Sequence, residues 1–208
     1  MDESLEVRRF WFGRVPLTLG TLRERQRLWF GVEASRDERR AVDDLIRARF
    51  GKLMERAAAG ALGSWEGSPH RRLSLILLLD QFPRHVFRGT ARAFATDDAA
   101  LSLTLSGLQA AADAALSPAE RLFFYMPLQH AERTDAQEES LGAYRRLLAE
   151  VAGEALRPLF AGALDSAELH HRIVARFGRF PHRNLALGRA SSPEEEVYLV
   201  RGAQRFGQ

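Results

Sequence analysis

Apolar residues recur with helical spacing in the stretch that follows Ser35, over more than four helical turns. The spacing of i, i+3, i+4 and i+7 is kept by Val42, Leu45, Ile46, Phe50, Leu53, Met54 and Ala57. Gly60 follows, and it predicts the end of this helix because glycine is typical of the position just beyond a helix. No segment alternates apolar and polar residues convincingly, so we predict an all-α fold.

Two further helix starts carry a capping box, in which a serine and a glutamate three residues later hydrogen-bond each other's backbone. They are Ser117-Pro118-Ala119-Glu120 and Ser192-Pro193-Glu194-Glu195. With these anchors we predict about eight helices, near residues 4–12, 36–59, 69–82, 97–113, 118–132, 135–155, 166–177 and 193–206. Short connections favour stacked antiparallel pairs. Residues 15–31 are predicted to form a loop that packs Trp29 and Phe30 onto the core.

The composition is that of a folded globular chain. The 208 residues are 46% apolar and 27% charged, which predicts a single domain over residues 1–208. A formal net charge of +3 is weak evidence for nucleic-acid binding, and the arginine-rich composition is typical of a GC-rich coding bias. The chain has no cysteine, which excludes disulfides, thiolate nucleophiles and cysteine-ligated zinc.

The start of the chain and its apolar runs predict a cytoplasmic protein without a membrane partner. Met1-Asp2-Glu3-Ser4 lacks the basic and apolar regions of a signal peptide. The longest apolar run, Leu75 to Leu79, has five residues, whereas a membrane-spanning helix needs about twenty.

One short motif occurs twice. Phe82-Pro83-Arg84-His85 resembles Phe180-Pro181-His182-Arg183, and each follows a predicted helix. Proline disfavours the α conformation in the preceding residue but fits the first turn of a new helix. Both segments are therefore predicted to be a break followed by a short helical turn.

Three segments carry a resemblance to a known family. They are DQFPRHVFRGTARAFATD at 80–97, ERLFFYMPLQHAER at 120–133 and RFGRFPHRNLALGRASSPEE at 176–195. The chain resembles the bacterial family called domain of unknown function 924 over essentially its whole length. The resemblance implies a tetratricopeptide-like helical fold and implies no activity. His85 and Arg133 depart from the family pattern, where Asn and an acid are usual, so neither is expected to be a fixed site residue.

Asp80 closes an apolar run near the predicted end of its helix, where the helix dipole disfavours a negative charge. It needs a cationic partner, and Arg84, Arg88, Arg179 and Arg183 are all candidates. We expect Asp80 to contact an arginine and the three family segments to meet in space. A structural ion pair between helix hairpins is the alternative to a functional role.

The segment between Leu169 and Pro193 has no acidic residue. Its cationic side chains are those of Arg172, Arg176, Arg179, Arg183 and Arg189, with His170, His171 and His182. Three of the arginines would share one helix face if the helix continued to residue 179. This favours an anion site, although cations also gather at helix C-termini because the dipole stabilises them.

The helix around Tyr125 is apolar nearly all round and should be central in the fold. Pro127 in its interior predicts a kink, because proline donates no backbone hydrogen bond there. Gln129 and His130 follow this kink, and His130 is either a hydrogen-bonded core residue or a reactive one.

Two hypotheses about function follow from these features. The first is a helical-repeat binding module that holds a small anionic ligand or a peptide carboxylate. The second is an enzyme that uses His130 or His182 as general acid or base. The candidate binding residues are Asp80, Arg84, Arg88, Tyr125, Gln129, His130, Arg179, His182, Arg183 and Asn184. We expect no cofactor and no metal, since no paired-ligand motif is present, and nucleic acid is an unlikely partner.

Overall fold

The computed structural model describes residues 2–13, 17–151 and 155–201, and every regular element in these ranges is helical. The α-helices are α1 (Glu3–Phe12), α2 (Leu19–Phe30), α3 (Arg36–Ala58), α4 (Pro69–Ile76), α5 (Phe82–Val86), α6 (Asp97–Gln109), α7 (Pro118–Phe124), α8 (Met126–His130), α9 (Thr134–Glu150), α10 (Arg157–Phe177) and α11 (Pro193–Val200). A π-helical turn, Leu77–Gln81, joins α4 to α5. The predicted all-α class is confirmed. The described helices include none with the length and apolar character that a membrane span requires.

Local capping signals place several helices as the sequence predicts. The side chain of Ser192 accepts from the backbone of Glu195, and both predicted capping boxes are present. Helix α3 begins after its own capping box at Ser35 and gives way to Gly60, which has a positive φ of 74°. Because these signals depend only on neighbouring residues, they hold irrespective of the tertiary fold.

The predicted loop at 15–31 is wrong over most of its length, where the chain forms α2. Thr18 and Thr21 make a capping box at its start, and Gly31 adopts the left-handed conformation that ends it. The indole of Trp29 donates to the backbone oxygen of Trp11 at 2.8 Å, which ties α2 to α1. Tertiary packing therefore stabilises a helix whose polar sequence shows little periodicity. Residues 1, 14–16, 152–154 and 202–208 lie outside the described ranges, and they include part of the predicted helix at 135–155 and the end of the predicted helix at 193–206.

The elements α4, the π turn, α7 and α8 lie at the centre of the core, and their apolar side chains are almost fully buried. Trp11 packs edge to face on Phe123 with ring centroids 5.5 Å apart, and it contacts Phe82 at the same distance. The aromatic opening of the chain is thus part of the core, with Trp11 and Phe12 buried and Phe10 packed against them. Helices α9 and α10 follow one another as an antiparallel pair that covers α8.

The helix predicted at 118–132 is two helices that meet at Tyr125. Pro127 lies in the first turn of α8, where the missing N–H costs no hydrogen bond. The break leaves carbonyl groups for other partners. Leu122 accepts from the hydroxyl of Tyr144 at 2.9 Å, and Phe124 accepts from that of Thr104 at 3.0 Å. The predicted kink within one helix is therefore corrected to a full break.

Candidate functional site

A cleft of about 930 Å³ opens between α2, the start of α3, α5, α8 and the first half of α10. Most of the lining is apolar, the polar side chains around His130 are here called the floor, and charged side chains that include Arg25, Arg27, Glu38 and Arg39 also line the cleft. The side chains that line it include Trp29, Phe30, Val42, Met126 and Leu159 on the walls and Gln81, Arg84, His85, Gln129 and His130 on the floor. This volume and this mixture of surfaces are typical of sites for small organic molecules.

Asp80 and His130 form a hydrogen-bonded dyad in the floor of the cleft. Nδ1 of His130 lies 2.7 Å from Oδ1 of Asp80, whose side chain is fully buried. The imidazole is 12% exposed and lines the cleft. No described residue hydrogen-bonds to its Nε2. The dyad therefore presents one ring nitrogen to whatever enters the cleft.

The position of Asp80 depends on the π turn between α4 and α5. The N–H of Phe82 donates to the oxygen of Leu77, five residues earlier. The chain thus remains helical from 69 to 86 and carries Pro83 in the first turn of α5, so the predicted break before Pro83 is wrong. Asp80 consequently lies inside a continuous helical segment rather than at a helix end. Such π bulges occur frequently at functional sites because the extra residue redirects side chains.

An ion-pair network joins the three family segments beneath the cleft. Arg84 lies 3.1 Å from Oδ1 of Asp80 and donates to both oxygens of Asp97 at 2.9 Å. Arg183 donates to Asp97 at 3.1 Å and to the backbone oxygen of His130 at 2.9 Å. The expected contact between Asp80 and an arginine is confirmed. The network contains two arginines, Arg84 and Arg183, and two aspartates, Asp80 and Asp97, so its charges balance.

Burial and neighbouring charges set the ionisation of these groups. Burial raises the pKa of Asp80, but Arg84 and His130 outweigh it and hold that pKa well below the ordinary value. Burial lowers the pKa of His130, and the positive charge of Arg84 lowers it further. Burial also lowers the pKa of Arg183 to about 10. At neutral pH Asp80 is therefore a carboxylate and His130 is a neutral imidazole.

A second imidazole on the cleft floor also has a carboxylate partner. Nδ1 of His85 lies 2.9 Å from Oδ1 of Asp43, which belongs to α3. Arg88 pairs with the same carboxylate at 3.2 Å. Burial raises the pKa of Asp43, but hydrogen bonds from His85 and Arg88 bring it below its ordinary value. The indole of Trp11 packs edge to face against the imidazole of His85, with centroids 5.6 Å apart.

Other polar groups complete the lining of the cleft. Nδ1 of His170 donates to the backbone oxygen of Ser166 at 2.7 Å, and burial lowers the pKa of this histidine to about 3. Its ring centroid is 6.0 Å from that of His130. Gln129 lines the cleft and is buried, and its Oε1 has no hydrogen-bond partner among the described residues. The cleft thus combines imidazoles with amide groups.

The remaining predicted site residues lie outside this cleft. The hydroxyl of Tyr125 donates to Asp113 at 2.7 Å, and burial raises the pKa of this tyrosine. Burial lowers the pKa of His182 to about 3, and its ring packs against Phe180 with centroids 5.6 Å apart. Neither side chain lines the cleft. Arg183 contributes to the floor only from beneath, through its hydrogen bond to the backbone of His130.

A second network holds the C-terminal helix and is here named the C-terminal clip. It consists of Glu132, Arg179, Phe180, Asn184, Arg189 and Glu195. Glu132 accepts from Arg189 at 2.6 Å and from the N–H of Phe180 at 2.7 Å. Glu195 accepts from Arg179 at 2.6 Å. The C-terminal clip therefore has the geometry of a structural clamp.

The anion face expected on α10 does not form. The helix ends at Phe177, and Gly178 adopts the left-handed conformation, so Arg179 leaves the face of Arg172 and Arg176. Arg176 pairs with Glu194 at 2.8 Å, as Arg179 does with Glu195. Glu194 and Glu195, which pair with these arginines, come directly after the basic segment in the sequence.

Sequence reasoning misses several residues of the cleft. Asp43 gives no local signal, because its partner His85 is 42 residues away. Gln81 has the pattern of an ordinary helix residue, and His170 stands out only as part of the basic segment. His85 is notable in the sequence only as a departure from a family pattern. No group of three or more metal-ligating side chains occurs in the parts of the chain that the structure describes.

The fold and the cleft define an all-α protein with carboxylate–imidazole pairs in a mixed apolar and polar site. A family described as bacterial protein of unknown function (DUF924) matches residues 7–203, so the chain belongs to that family. It is similar to a solved structure of a protein of unknown function from Agrobacterium tumefaciens. The two are 36% identical with a TM-score of 0.75, over 96% of this chain and 97% of the other. A search of curated proteins finds no match.

Proposed function

We propose that this protein is an enzyme that uses His130 as a general base on a small molecule bound in the cleft. The observation that carries the proposal is the Asp80–His130 dyad. Its Nδ1 is engaged by a buried carboxylate at 2.7 Å, while its Nε2 has no partner among the described residues. A carboxylate that orients an imidazole in this way is a recurring arrangement for general-base catalysis.

The protonation states support this role. Asp80 is ionised, so it accepts a hydrogen bond and requires the proton of His130 to lie on Nδ1. A neutral imidazole protonated on Nδ1 carries its lone pair on Nε2. The lowered pKa of His130 keeps the ring neutral at pH 7 and available to accept a proton.

The pairing of Arg84 favours an uncharged substrate at the floor. Arg84 is held by Asp80 and Asp97, so an incoming anion would compete with carboxylates that already contact it. Apolar walls that include Trp29 and Met126 suit an aliphatic or aromatic group. The substrate class that fits is a small molecule with an apolar part and an uncharged polar reacting group.

Anion binding is the second candidate, and it is favoured by cationic side chains that line the cleft, among them Arg39 and Arg88. Arg88 lines the cleft with 34% of its side chain exposed, more than Arg84, and its guanidinium could bind a carboxylate or phosphate at the rim. Such an anion would have to share Arg88 with Asp43, which makes this candidate the weaker of the two. His182 as general base is weaker still, because it lies outside the cleft.

Conversion of an unidentified substrate can be followed in a mixture of compounds. Purified wild type and His130→Asn are incubated with a mixture of bacterial small metabolites, and depletion or formation of compounds is followed by mass spectrometry. Asn retains an amide that can donate to Asp80 but lacks the second ring nitrogen. We expect at least one compound to be converted by the wild type and roughly 100-fold more slowly by the variant.

His70→Asn is the matched control, since His70 lies on α4 and does not line the cleft. It should convert the same compound at the rate of the wild type. Conversion by His130→Asn at the wild-type rate, or no conversion by the wild type, would show that His130 is not a general base.

A further inference from the structure

We infer that the substrate carries a carboxylate outside the floor and that Arg39 binds it at the mouth of the cleft, a name used here for the lining residues Phe30, Gly31 and Arg39. The inference rests on the proposed function and deepens it, because it names a second chemical group of the substrate. The reacting group at the floor stays uncharged, whereas the other end of the molecule carries one negative charge. The substrate class is thus an amphipathic carboxylate.

The first observation concerns the five arginines that line the cleft. Four of them pair with acids: Arg25 with Glu24, Arg27 with Glu38, Arg84 with Asp80 and Asp97, and Arg88 with Asp43. Arg39 makes no ion pair with any acidic side chain in the described ranges. Because a guanidinium is always charged in proteins, Arg39 brings one uncompensated positive charge to the lining.

The acids of α3 that line the cleft already have other partners. Glu38 accepts from Arg27 at 2.8 Å and from the backbone N–H of Ser35 at 2.7 Å. Asp43 holds the second imidazole of the floor at 2.9 Å. Either acid would have to give up a hydrogen bond to pair with Arg39, whereas the carboxylate of a ligand would not.

Local packing fixes the position of this guanidinium. Its Nε donates to the backbone oxygen of Ala34 at 3.2 Å. Its aliphatic stem packs on Gly31, where a Cβ would lie 2.9 Å from Cδ of Arg39 and where φ is 65°, so a larger residue would be strained and would displace the arginine. The two Nη groups have no hydrogen-bond partner among the described residues. They match the two oxygens of one carboxylate.

A large apolar surface adjoins Arg39 at the mouth. Phe30 directly precedes Gly31 and is 47% exposed, although its ring stacks on that of Phe123 with centroids 6.1 Å apart. Leu45 lines the same cleft and is 45% exposed. A hydrocarbon that covers these side chains removes apolar surface from water, which stabilises the complex. Exposed apolar surface beside an unpaired cation therefore fits an amphipathic anion.

The number of charges favours a carboxylate over a phosphate. A phosphate monoester carries a charge of about −1.5 to −2 at neutral pH, whereas a carboxylate carries one negative charge. Arg39 supplies one positive charge, and the acidic side chains of Glu38 and Asp43 line the same cleft. These acids would repel the excess charge of a phosphate.

The mouth and the floor belong to one cleft of about 930 Å³. Arg39 precedes Asp43 by four residues on α3, which is about 6 Å along the helix axis. Asp43 in turn contacts His85 on the floor at 2.9 Å. Ala41 and Val42 line the cleft between the two ends. A molecule with a short hydrocarbon part between its two polar groups can thus contact the mouth and the floor together.

The test measures the dissociation constants of octanoate, octanamide and acetate by isothermal titration calorimetry. Octanamide keeps the hydrocarbon without the charge, and acetate keeps the charge without the hydrocarbon. We expect the wild type to bind octanoate roughly 5- to 10-fold more tightly than octanamide, and acetate more weakly than either. Arg39→Met, which keeps an apolar stem, should bind octanoate roughly 5- to 10-fold more weakly and octanamide as the wild type does.

Arg40→Met is the matched control, since Arg40 is exposed on the same helix and does not line the cleft. It should bind all three compounds as the wild type does. Thermal melting of Arg39→Met should match that of the wild type, because the side chain is exposed, so weaker binding cannot be attributed to unfolding. His130→Asn should bind octanoate with unchanged affinity, since the carboxylate lies outside the floor.

The outcomes separate this inference from the proposed function. Equal affinity of the wild type for octanoate and octanamide, no binding of either, or equal losses in Arg39→Met and Arg40→Met would overturn the site at Arg39 and leave the role of His130 to the conversion assay. Tighter binding of octyl phosphate than of octanoate would overturn the choice of a carboxylate. Octanoate binding that depends on Arg39, without conversion of any metabolite, would overturn the general base and leave the carboxylate site standing.

Discussion

The cleft floor and the C-terminal clip are built from the same kinds of side chain, and each includes residues that adjoin a Phe-Pro motif, at Phe82 and at Phe180. On the floor, carboxylates hold imidazoles by one nitrogen and leave the other toward a cavity. In the C-terminal clip, carboxylates take hydrogen bonds from arginines and backbone N–H groups around the end of the chain. A cluster of Arg and His in a sequence therefore does not indicate a ligand site until the carboxylate partners of these side chains are known.

The largest effect should come from the centre of the floor. Replacing Asp80 with Asn removes the fully buried countercharge of Arg84, so the free energy of unfolding should fall by about 3–5 kcal/mol. Urea denaturation monitored by circular dichroism measures the change. Asp44→Asn, which removes an exposed ion pair with Arg47, should be within experimental error of the wild type. A loss below about 1 kcal/mol for Asp80→Asn would mean that the pair is not essential to the fold.

Two buried histidines, His170 at the cleft and His182 beside Phe180 of the C-terminal clip, should make stability depend on pH in the same direction. Burial lowers the pKa of His170 and of His182 from 6.5 to about 3. Between these values the unfolded chain binds a proton that the folded chain does not, so the free energy of unfolding falls as the pH falls. Each histidine contributes a slope of about 1.4 kcal/mol per pH unit in that window.

His170→Asn and His182→Asn should each reduce this slope by the contribution of one proton. Urea denaturation at several values between pH 4 and pH 7 measures it, which is the range in which the two groups differ from the unfolded chain. A slope equal to that of the wild type in either variant would show that the histidine concerned takes up its proton in the folded protein.

The C-terminal clip should be less sensitive than the floor. Glu195 accepts from Arg179, from Asn184 and from the backbone N–H of Ser192, so Glu195→Gln should cost about 1–3 kcal/mol. These hydrogen bonds lower the pKa of Glu195 to about 2. The difference between wild type and variant should therefore be complete above the ordinary value of 4.5 and shrink as the pH falls toward 2.

Metabolite conversion should be unaffected in Glu195→Gln, because the C-terminal clip does not line the cleft. This is the sharpest distinction between the two regions. If conversion by this variant were lost while it remained folded, the C-terminal clip would belong to the functional site.

The smallest effect should come from the rim of the cleft. Arg88→Met removes a partly exposed ion pair with Asp43, so the free energy of unfolding should change by less than about 1 kcal/mol. Thermal shift with phosphate and with acetate, applied to wild type and variant, tests anion binding at the same position. Stabilisation of the wild type that disappears in Arg88→Met would support the anion candidate, and no stabilisation of the wild type would exclude it for these anions.

Much of the secondary structure could be predicted from local signals, whereas the site could be predicted only in part. Asp80 and His130 both stand out in the sequence, since a buried carboxylate must find a partner and a central helix seldom carries an idle polar group. Their pairing could not be predicted, because they are 50 residues apart. Arg179 and Asn184 are candidates for the same site by sequence but belong instead to the C-terminal clip, because their partner Glu195 lies outside the basic segment.

By itself the sequence determined the helical class, the helix that begins after Ser35 and the capped helix starts at Ser117 and Ser192. These features depend on neighbouring hydrogen bonds and on apolar periodicity, which are properties of short segments. Only the tertiary structure decided that α2 forms and that the chain stays helical past Pro83, with a π turn just before α5. It also decided which carboxylate each cation meets. These outcomes depend on packing between segments far apart in the chain, where burial makes one pairing more stable than its alternatives.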